Sequence, residues 1–221
     1  MVVGHERSSH WLTDEFLVKV CGITSEKDAF LSIDCGANAL GFNFYPPSPR
    51  YLDPQQAAKI IEGLPDHILV AAVMVVGKAT KEEIKDQVEG LEKEIGERYG
   101  RNPIDVFQLH GLESESQIPL GFDRVLVATA PSDADRFPRQ EVLIDTSWGT
   151  GTRADWNRVQ QLKRSFILSG GLTPENVSEA VRLLSPAGVD VCSGVESEWG
   201  VKDPVRLRRF IEEARGVSAD N

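Results

Sequence analysis

The sequence predicts a single (β/α)8 TIM barrel, an α/β fold, on three observations. Short apolar runs alternate with longer mixed-polarity runs, which is typical of parallel strands connected by helices. Eight apolar runs are spaced nearly evenly over 221 residues, a length that suits one barrel domain. Polar residues and glycines follow the ends of these runs, where such barrels carry their active sites. The alternative is an open doubly wound sheet, but the first strand lacks the Gly-x-Gly-x-x-Gly turn of that fold.

The eight predicted strands are nearly continuous in valine, leucine, isoleucine and phenylalanine, as strands buried on both faces are. They comprise residues 17–21, 39–44, 69–76, 105–110, 124–128, 142–145, 166–169 and 188–192. We therefore expect all eight to pair in one closed parallel sheet.

Seven helices are predicted between and after these strands, at residues 25–35, 54–62, 81–99, 115–118, 154–162, 174–184 and 204–214. Two of them begin with a capping residue followed by proline, at Thr173-Pro174 and Asp203-Pro204. The fifth unit is the weakest, because residues 130–139 are too few and too rich in proline for a good helix. We expect residues 1–16 to be a poorly ordered extension, 17–215 the barrel domain and 216–221 a short tail.

Composition narrows the classes of function. The formal net charge is −10 and no large cluster of lysine and arginine is present, so nucleic acid is not an expected partner. No apolar stretch reaches the ~20 residues that span a bilayer, so no membrane partner is expected. Three cysteines without metal-ligand spacing favour a reducing, cytoplasmic location and predict no metal site. We expect a small phosphorylated substrate and a chain that is a monomer or a homodimer.

Cys21 ends the first strand and is the first candidate catalytic residue. Strand alternation places Lys19 and Cys21 on one face, so Lys19 is a candidate substrate-binding residue. Most free cysteines are small buried hydrophobic residues. However, catalytic groups of a barrel sit at strand ends, and Gly22 lets the backbone turn away from the thiol. Cys35 and Cys192 lack this combination, and we expect both to be structural.

Asp145 ends the sixth strand, directly after three aliphatic residues. One interpretation is a loop carboxylate that faces solvent. The other is a general acid at the barrel mouth, opposite Cys21. Burial of an unpaired carboxylate is expensive, so its place at the end of an apolar strand favours a functional role.

Small residues follow strands seven and eight. Ser169 precedes Gly170 and Gly171, and the segment from Asp190 through Ser193 to Gly194 follows the last strand. Barrels of this class bind phosphate at these two turns, where glycine N–H groups approach the oxygens. We therefore predict a phosphate site formed by both turns.

Two further side chains are candidates for substrate binding. Arg50 follows a proline-rich loop that holds its backbone rigid, and its planar fork suits a carboxylate or an aromatic face. His110 shares one strand face with Gln108 at the end of strand four. These two residues either bind substrate or form a polar plug in the barrel mouth.

Several motifs together carry a family resemblance. In order they read VKVCGIT, DCGANALGFNFYPPSPRYL, FQLHGLES, LIDT followed by GTG and DW, LSGGLTPENV and DVCSGVESEWGVKDP. From residue 17 to 214 the chain resembles the phosphoribosylanthranilate isomerases. The resemblance implies a (β/α)8 barrel that performs an Amadori rearrangement in tryptophan biosynthesis without a cofactor. The substrate would be N-(5-phosphoribosyl)anthranilate and the product 1-(2-carboxyphenylamino)-1-deoxyribulose 5-phosphate.

The resemblance also implies roles for single residues. Cys21 would be the base that removes the ribose C2 proton, and Asp145 the acid that protonates the ring oxygen. Arg50 would contact the anthranilate part of the substrate. The residues around the phosphate would be Gly170, Gly171, Asp190, Ser193 and Gly194.

The chain departs from the family pattern after Asp145. Only residues 146–148 separate it from the following glycines, so a catalytic lid is expected to be trimmed. This departure suggests, as an alternative, a sugar-phosphate-binding relative with weak or no turnover. A third alternative is another barrel enzyme that acts on a phosphorylated sugar, such as a ribulose-phosphate epimerase or an isomerase of histidine synthesis.

Overall fold

The computed structural model describes residues 15–96, 102–146 and 156–218. Eight parallel strands form a closed barrel in chain order, which confirms the predicted fold. They are β1 Leu17–Cys21, β2 Ala39–Asn43, β3 Leu69–Val75, β4 Val106–His110, β5 Val125–Thr129, β6 Glu141–Asp145, β7 Ile167–Ser169 and β8 Gly188–Val191. A further antiparallel pair follows the barrel, β9 Glu196–Glu198 and β10 Val201–Lys202.

Six helices cover the barrel in the described part of the chain, α1 Glu26–Cys35, α2 Pro54–Gly63, α3 Lys81–Ile95, α4 Trp156–Val159, α5 Val177–Leu184 and α6 Pro204–Ser218. The fifth unit contains only a 3-10 helix, Pro131–Arg136, as its proline content predicted. The fourth unit likewise has a single 3-10 turn at Glu115–Gln117.

Four helix boundaries lie three or four residues from the predicted ones. α3 ends at Ile95 rather than at residue 99, because Gly96 closes it with a positive φ, and α4 ends at Val159 rather than at residue 162. The helix predicted from Pro174 begins only at Val177, because the Asn176 side chain accepts from the Thr173 N–H and closes a separate turn first. The last helix continues to Ser218, beyond its predicted end at 214. Residues 97–99 and 154–155, which belong to two of the predicted helices, lie outside the described residues, as do residues 1–14 and 219–221.

The barrel separates two apolar layers, and strand alternation decides which layer each side chain joins. Val18 and Val20 of β1 pack outward against the helices. Inside the barrel, a smaller cluster fills the lower end, and Lys19 lies in the interior with only 1% of its surface exposed. This confirms the alternation predicted for β1. No described helix has the length and apolar character needed to cross a membrane.

The barrel closes where β1 pairs with β8. In this register Lys19 lies opposite Asp190, and Val20 lies opposite Val191. The first and last strands therefore bring residues from the two ends of the chain to one side of the mouth.

Candidate active site

Cys21 lies at the upper end of β1, almost fully buried. The chain leaves it through Gly22, whose φ of +72° is a left-handed conformation that glycine adopts readily. A methyl group on Gly22 would lie 2.6 Å from Arg50 Cδ and 2.9 Å from Cys192 Sγ. Glycine at position 22 thus serves both the turn and the close packing of the Arg50 and Cys192 side chains against it.

Lys19 and Asp190 form an ion pair inside the barrel, directly below Cys21. The Lys19 Nζ atom lies 2.7 Å from Asp190 Oδ1, and both side chains are almost fully buried. Ser169 Oγ donates to the other carboxylate oxygen at 2.8 Å. Burial works against the charged form of Lys19, but the charges of Asp190 and Cys21 outweigh it and raise the pKa of this lysine. A fixed positive charge therefore sits beneath the Cys21 sulfur.

A second buried charge cluster covers Cys21 from above and is built on the β9–β10 pair. Lys202 Nζ donates to the Cys21 carbonyl oxygen at 2.6 Å and lies 3.0 Å from Glu196 Oε1. Arg50 donates two hydrogen bonds to the same carboxylate of Glu196. Its Nε atom lies 2.9 Å from Oε1, and its Nη2 atom lies 2.7 Å from Oε2. The sequence analysis missed Glu196 and Lys202. Their only signal was a pair of opposite charges in the last motif, with no hint that they are buried.

The surroundings of Cys21 favour the thiolate. Hydrogen bonding with the Cys192 thiol is the largest cause that lowers the pKa of Cys21, against burial, and the charges of Lys19 and Lys202 add to it. Together they bring the pKa of Cys21 to about 6. In the described part of the chain, three cationic side chains lie near this sulfur, namely Lys19, Arg50 and Lys202. They face two carboxylates, those of Asp190 and Glu196. A Cys21 thiolate supplies the missing negative charge.

Cys192, which we expected to be structural, directly follows β8 and lies at the mouth of the barrel. Its Sγ atom lies 3.8 Å from Glu196 Oε1, and hydrogen bonding with the Cys21 thiol together with burial raises the pKa of Cys192 well above its ordinary value. No local sequence pattern indicates that Cys192 lies near Cys21, because this proximity depends on the closure of β8 on β1. Cys35 ends α1 and packs against the outer core, away from the mouth, and burial raises the pKa of its thiol.

Asp145 ends β6, three strands away from β1 by the shorter route around the barrel, and lies opposite Ser169 in the β6–β7 register. The next residue, Thr146, donates through its hydroxyl to the Gly170 carbonyl at 2.8 Å. Asp145 is partly exposed, whereas the three residues before it are buried. Its carboxylate thus lies at the mouth, beside the turn that follows β7.

His110 and Gln108 lie on the interior face of β4. Their Nε2 atoms are 2.8 Å apart, and Gln108 is buried while His110 is partly exposed at the mouth. Burial lowers the pKa of His110 and the nearby charge of Asp145 opposes this shift only in part. Gln108 therefore forms part of the plug, whereas His110 presents a neutral imidazole to the mouth.

The turns after β7 and β8 pack directly against each other. Gly170 and Gly171 have φ angles of +87° and +66°. Residues with a Cβ atom rarely adopt two such left-handed conformations in succession. The Asn176 Nδ2 group donates to the Gly171 carbonyl oxygen at 2.9 Å and stabilises this turn. A methyl group on Gly194 would lie 1.9 Å from the Leu172 carbonyl oxygen, so only glycine allows the two turns to approach so closely.

Ser147 and Trp148 of the shortened segment after Asp145, and the glycines that follow them, lie outside the described residues. In the described parts of the chain, no three or more histidine, cysteine, aspartate or glutamate side chains form a group suited to a metal ion.

Comparisons with known proteins agree on one family. A model for N-(5'phosphoribosyl)anthranilate (PRA) isomerase matches residues 18–213. The N-(5'-phosphoribosyl)anthranilate isomerase of Geotalea uraniireducens (strain Rf4) is 39% identical over 213 residues, which cover 90% of this chain and 98% of that relative.

Solved structures point the same way. The phosphoribosyl anthranilate isomerase from Thermotoga maritima superposes with a TM-score of 0.75 at 32% identity, covering 91% of this chain and 100% of that chain. Another structure, with a TM-score of 0.71, the same identity and the same coverage, is a phosphoribosyl anthranilate isomerase in complex with reduced 1-(o-carboxyphenylamino)-1-deoxyribulose 5-phosphate.

Proposed function

The chain belongs to the N-(5'-phosphoribosyl)anthranilate isomerase family, and we propose that its barrel mouth performs this isomerisation with Cys21 as base and Asp145 as acid. The observation that carries the proposal is the Cys21 sulfur, whose pKa is lowered by its neighbours, on the far side of the same mouth from a carboxylate. An aldose-to-ketose rearrangement needs a proton delivered at one place on the sugar and removed at another. Two groups on opposite sides of one mouth meet that need.

The reaction begins with ring opening. Asp145 delivers a proton to the furanose ring oxygen as the C1–O bond breaks, and the anthranilate nitrogen lone pair forms the C1=N bond. The Cys21 thiolate then removes the C2 proton, and the C–H electron pair forms the C1=C2 bond while the C1=N electrons return to nitrogen. The resulting enol becomes the ketone of the product when C1 gains a proton and the C2 hydroxyl group loses one. The lowered pKa of Cys21 keeps the base ionised at neutral pH.

The two glycine turns support a phosphate site at one end of the mouth. Gly170 and Gly171 on one turn, and Ser193 and Gly194 on the other, bring backbone N–H groups together where the turns touch. We assign a different role to Asp190, which the sequence analysis grouped with the phosphate residues. Its carboxylate is held by Lys19 and by a serine hydroxyl inside the barrel, where it would repel a phosphate. Asp190 and Lys19 serve instead to set the charge beneath Cys21.

Arg50 supports an anthranilate site on the other side of the mouth. Glu196 holds its guanidinium through Nε and Nη2, and this fixes the orientation of the fork. The group also lies 6.0 Å from the ring centre of Trp199, a side chain that is 74% exposed. A fixed guanidinium beside an exposed indole suits a benzoate, which is planar, aromatic and negatively charged.

Genetic complementation tests the proposed function. Expression of the chain in a bacterial strain that lacks this isomerase should restore growth without tryptophan, and the purified protein should consume N-(5-phosphoribosyl)anthranilate. The Cys21→Ala variant, expressed at the same level, should not restore growth. Binding of the substrate without turnover would instead support the sugar-phosphate-binding alternative, which the intact acid and base make the weaker one.

The three unpaired cysteines lead us to propose a cytoplasmic location as well.

Gly194→Ala should weaken phosphate binding. The added methyl group meets the Leu172 carbonyl oxygen at 1.9 Å, so the two turns must move apart. We expect the dissociation constant of inorganic phosphate and the KM for substrate to rise roughly 10- to 100-fold, because hydrogen bonds to a charged group are lost. Gly90→Ala is the matched control, since that glycine lies in α3 with open space around it. Equal phosphate affinity in both variants would contradict this site.

Arg50→Ala should weaken recognition of anthranilate but not of phosphate. We expect a KM for substrate that rises roughly 10- to 100-fold, with the affinity for inorganic phosphate nearly unchanged. Arg50→Lys keeps the charge without the planar fork and should fall between the two. Thermal unfolding of each variant controls for the loss of the ion pair with Glu196. Unaltered kinetics in Arg50→Ala would remove the arginine from the site.

A further inference from the structure

Lys202 is fully buried, although it belongs to the short β9–β10 pair, whose other positions are largely exposed. An irregularity in the register produces this difference. Val201 lies opposite Glu198, and Lys202, one position further on, lies opposite Glu196 rather than Ser197. Such bulges change the direction in which a side chain points. This one brings Lys202 and Glu196 to the same buried face, where they form an ion pair at 3.0 Å.

The Lys202 ammonium group has three donor hydrogens and three acceptors. Its Nζ atom lies 2.6 Å from the Cys21 carbonyl oxygen, 3.0 Å from Glu196 Oε1 and 3.4 Å from the Cys192 carbonyl oxygen. Cys21 ends β1 and Cys192 directly follows β8, the two strands at which the barrel closes. The Lys202 backbone is itself anchored, since its N–H donates to Asp28 Oδ2 of α1 at 3.3 Å. One cation therefore joins the ends of both strands.

Stability alone does not account for a lysine at this position. A buried ammonium group must recover a large desolvation cost from its partners, and apolar side chains of similar volume often stabilise a protein as well or better. What an apolar side chain lacks is the ability to hold a backbone oxygen and to place a positive charge beside the thiol of the same residue. The Lys202 charge is among the causes that lower the pKa of Cys21.

We propose that Lys202 is a positioning residue for the isomerisation: it holds the Cys21 backbone at the end of β1, so that the thiol keeps one orientation toward the mouth. This inference rests on the proposed role of Cys21 as base. The lysine is supported from its other side by Glu196, which also fixes Arg50. The base and the arginine proposed to bind anthranilate thus share one buried support.

A kinetic test compares Lys202→Met and Lys202→Arg with the unaltered protein. Methionine keeps an unbranched side chain but has no charge and no donor, whereas arginine keeps both. In Lys202→Met we expect kcat to fall roughly 10- to 100-fold, because a small displacement of a reacting group is enough to slow the chemical step. KM should stay within about threefold, because Arg50 keeps its bonds to Glu196. Lys202→Arg should retain more of kcat than Lys202→Met.

A chemical test reports on Cys21 without turnover. The rate at which iodoacetamide alkylates this thiol, located by mass spectrometry, is measured from acid to alkaline pH. In Lys202→Met the midpoint should rise by about 1 pH unit, because a nearby positive charge is lost. The other charged groups around this thiol stay the same, namely Lys19 on β1, Arg50 on the loop after β2, Asp190 on β8 and Glu196 on β9.

Arg206→Met is the matched control for a merely structural role. Arg206 lies on α6 and donates to the Glu196 backbone carbonyl oxygen at 2.8 Å, so its loss loosens the same β9–β10 pair without removing a partner of Cys21. We expect kcat and the alkylation midpoint of this variant to stay close to those of the unaltered protein. Circular dichroism checks that each variant is folded. Lys202→Gln, which is polar and uncharged, replaces a methionine variant that does not fold, and the same two readouts decide.

The outcomes separate this proposal from the proposed function. An unchanged kcat or an unshifted alkylation midpoint in Lys202→Met would overturn the role of Lys202 while leaving the isomerase activity established. An equal loss of kcat in Arg206→Met would overturn it as well, since bracing of the β9–β10 pair would then explain the result. If the unaltered protein shows no turnover, the proposed function fails, and the positioning role fails with it.

Discussion

Cys21→Ala should lower kcat by about 10²- to 10⁴-fold or more, because the variant has no group to accept the C2 proton. A base acts mainly in the transition state, so binding of a product analogue should stay within about tenfold of the unaltered protein. Steady-state turnover of N-(5-phosphoribosyl)anthranilate and calorimetric titration with a reduced product analogue measure the two quantities separately.

Cys35→Ala is the matched control for this result. It removes a thiol of the same size that ends α1, away from the mouth, and should leave both quantities nearly unchanged. If Cys21→Ala keeps full turnover, the base must be another group and the proposed mechanism fails.

Asp145→Asn should be at least as damaging as the change at Cys21. The amide keeps the shape of the side chain but has no acidic proton to give to the ring oxygen. We expect kcat to fall by about 10²- to 10⁴-fold, as measured by the same turnover assay. Glu141→Gln makes the same chemical change at the opposite end of the same strand and should have little effect on kcat. Turnover at the unaltered rate in Asp145→Asn would leave ring opening to another acid.

The apolar runs predicted the barrel because each strand is buried on both faces. The length and the ends of each strand therefore follow from the hydrophobicity of its own residues. Strand boundaries agreed within a residue, as at Val106, where β4 starts one position later than predicted. The ends of the strands also indicated where Cys21 and Asp145 would lie, since parallel strands in a barrel share one mouth. These features need no knowledge of which distant segments touch.

The features that the sequence did not reveal depend on such distant contacts. Cys192 became a neighbour of Cys21 only through the β1–β8 register, which no local pattern encodes. Glu196 and Lys202 are buried because the β9–β10 pair folds over the mouth, whereas charged residues in a polar segment ordinarily indicate exposure. The buried ion pair between Asp190 and Lys19 likewise joins residues that are 171 positions apart in the chain.

The closure of β8 on β1 sets when the reactive sulfur comes into being during synthesis. Cys21 is translated early, but the Asp190 partner of Lys19 comes 171 residues after that lysine. At about 5–20 residues per second, a ribosome needs roughly 9–34 s to cover that stretch. Throughout this interval the nascent chain carries an ordinary, mostly protonated thiol, because the groups from β8 and β10 that ionise it have not arrived. The environment that lowers the pKa of Cys21 therefore exists only after the finished barrel has enclosed this thiol.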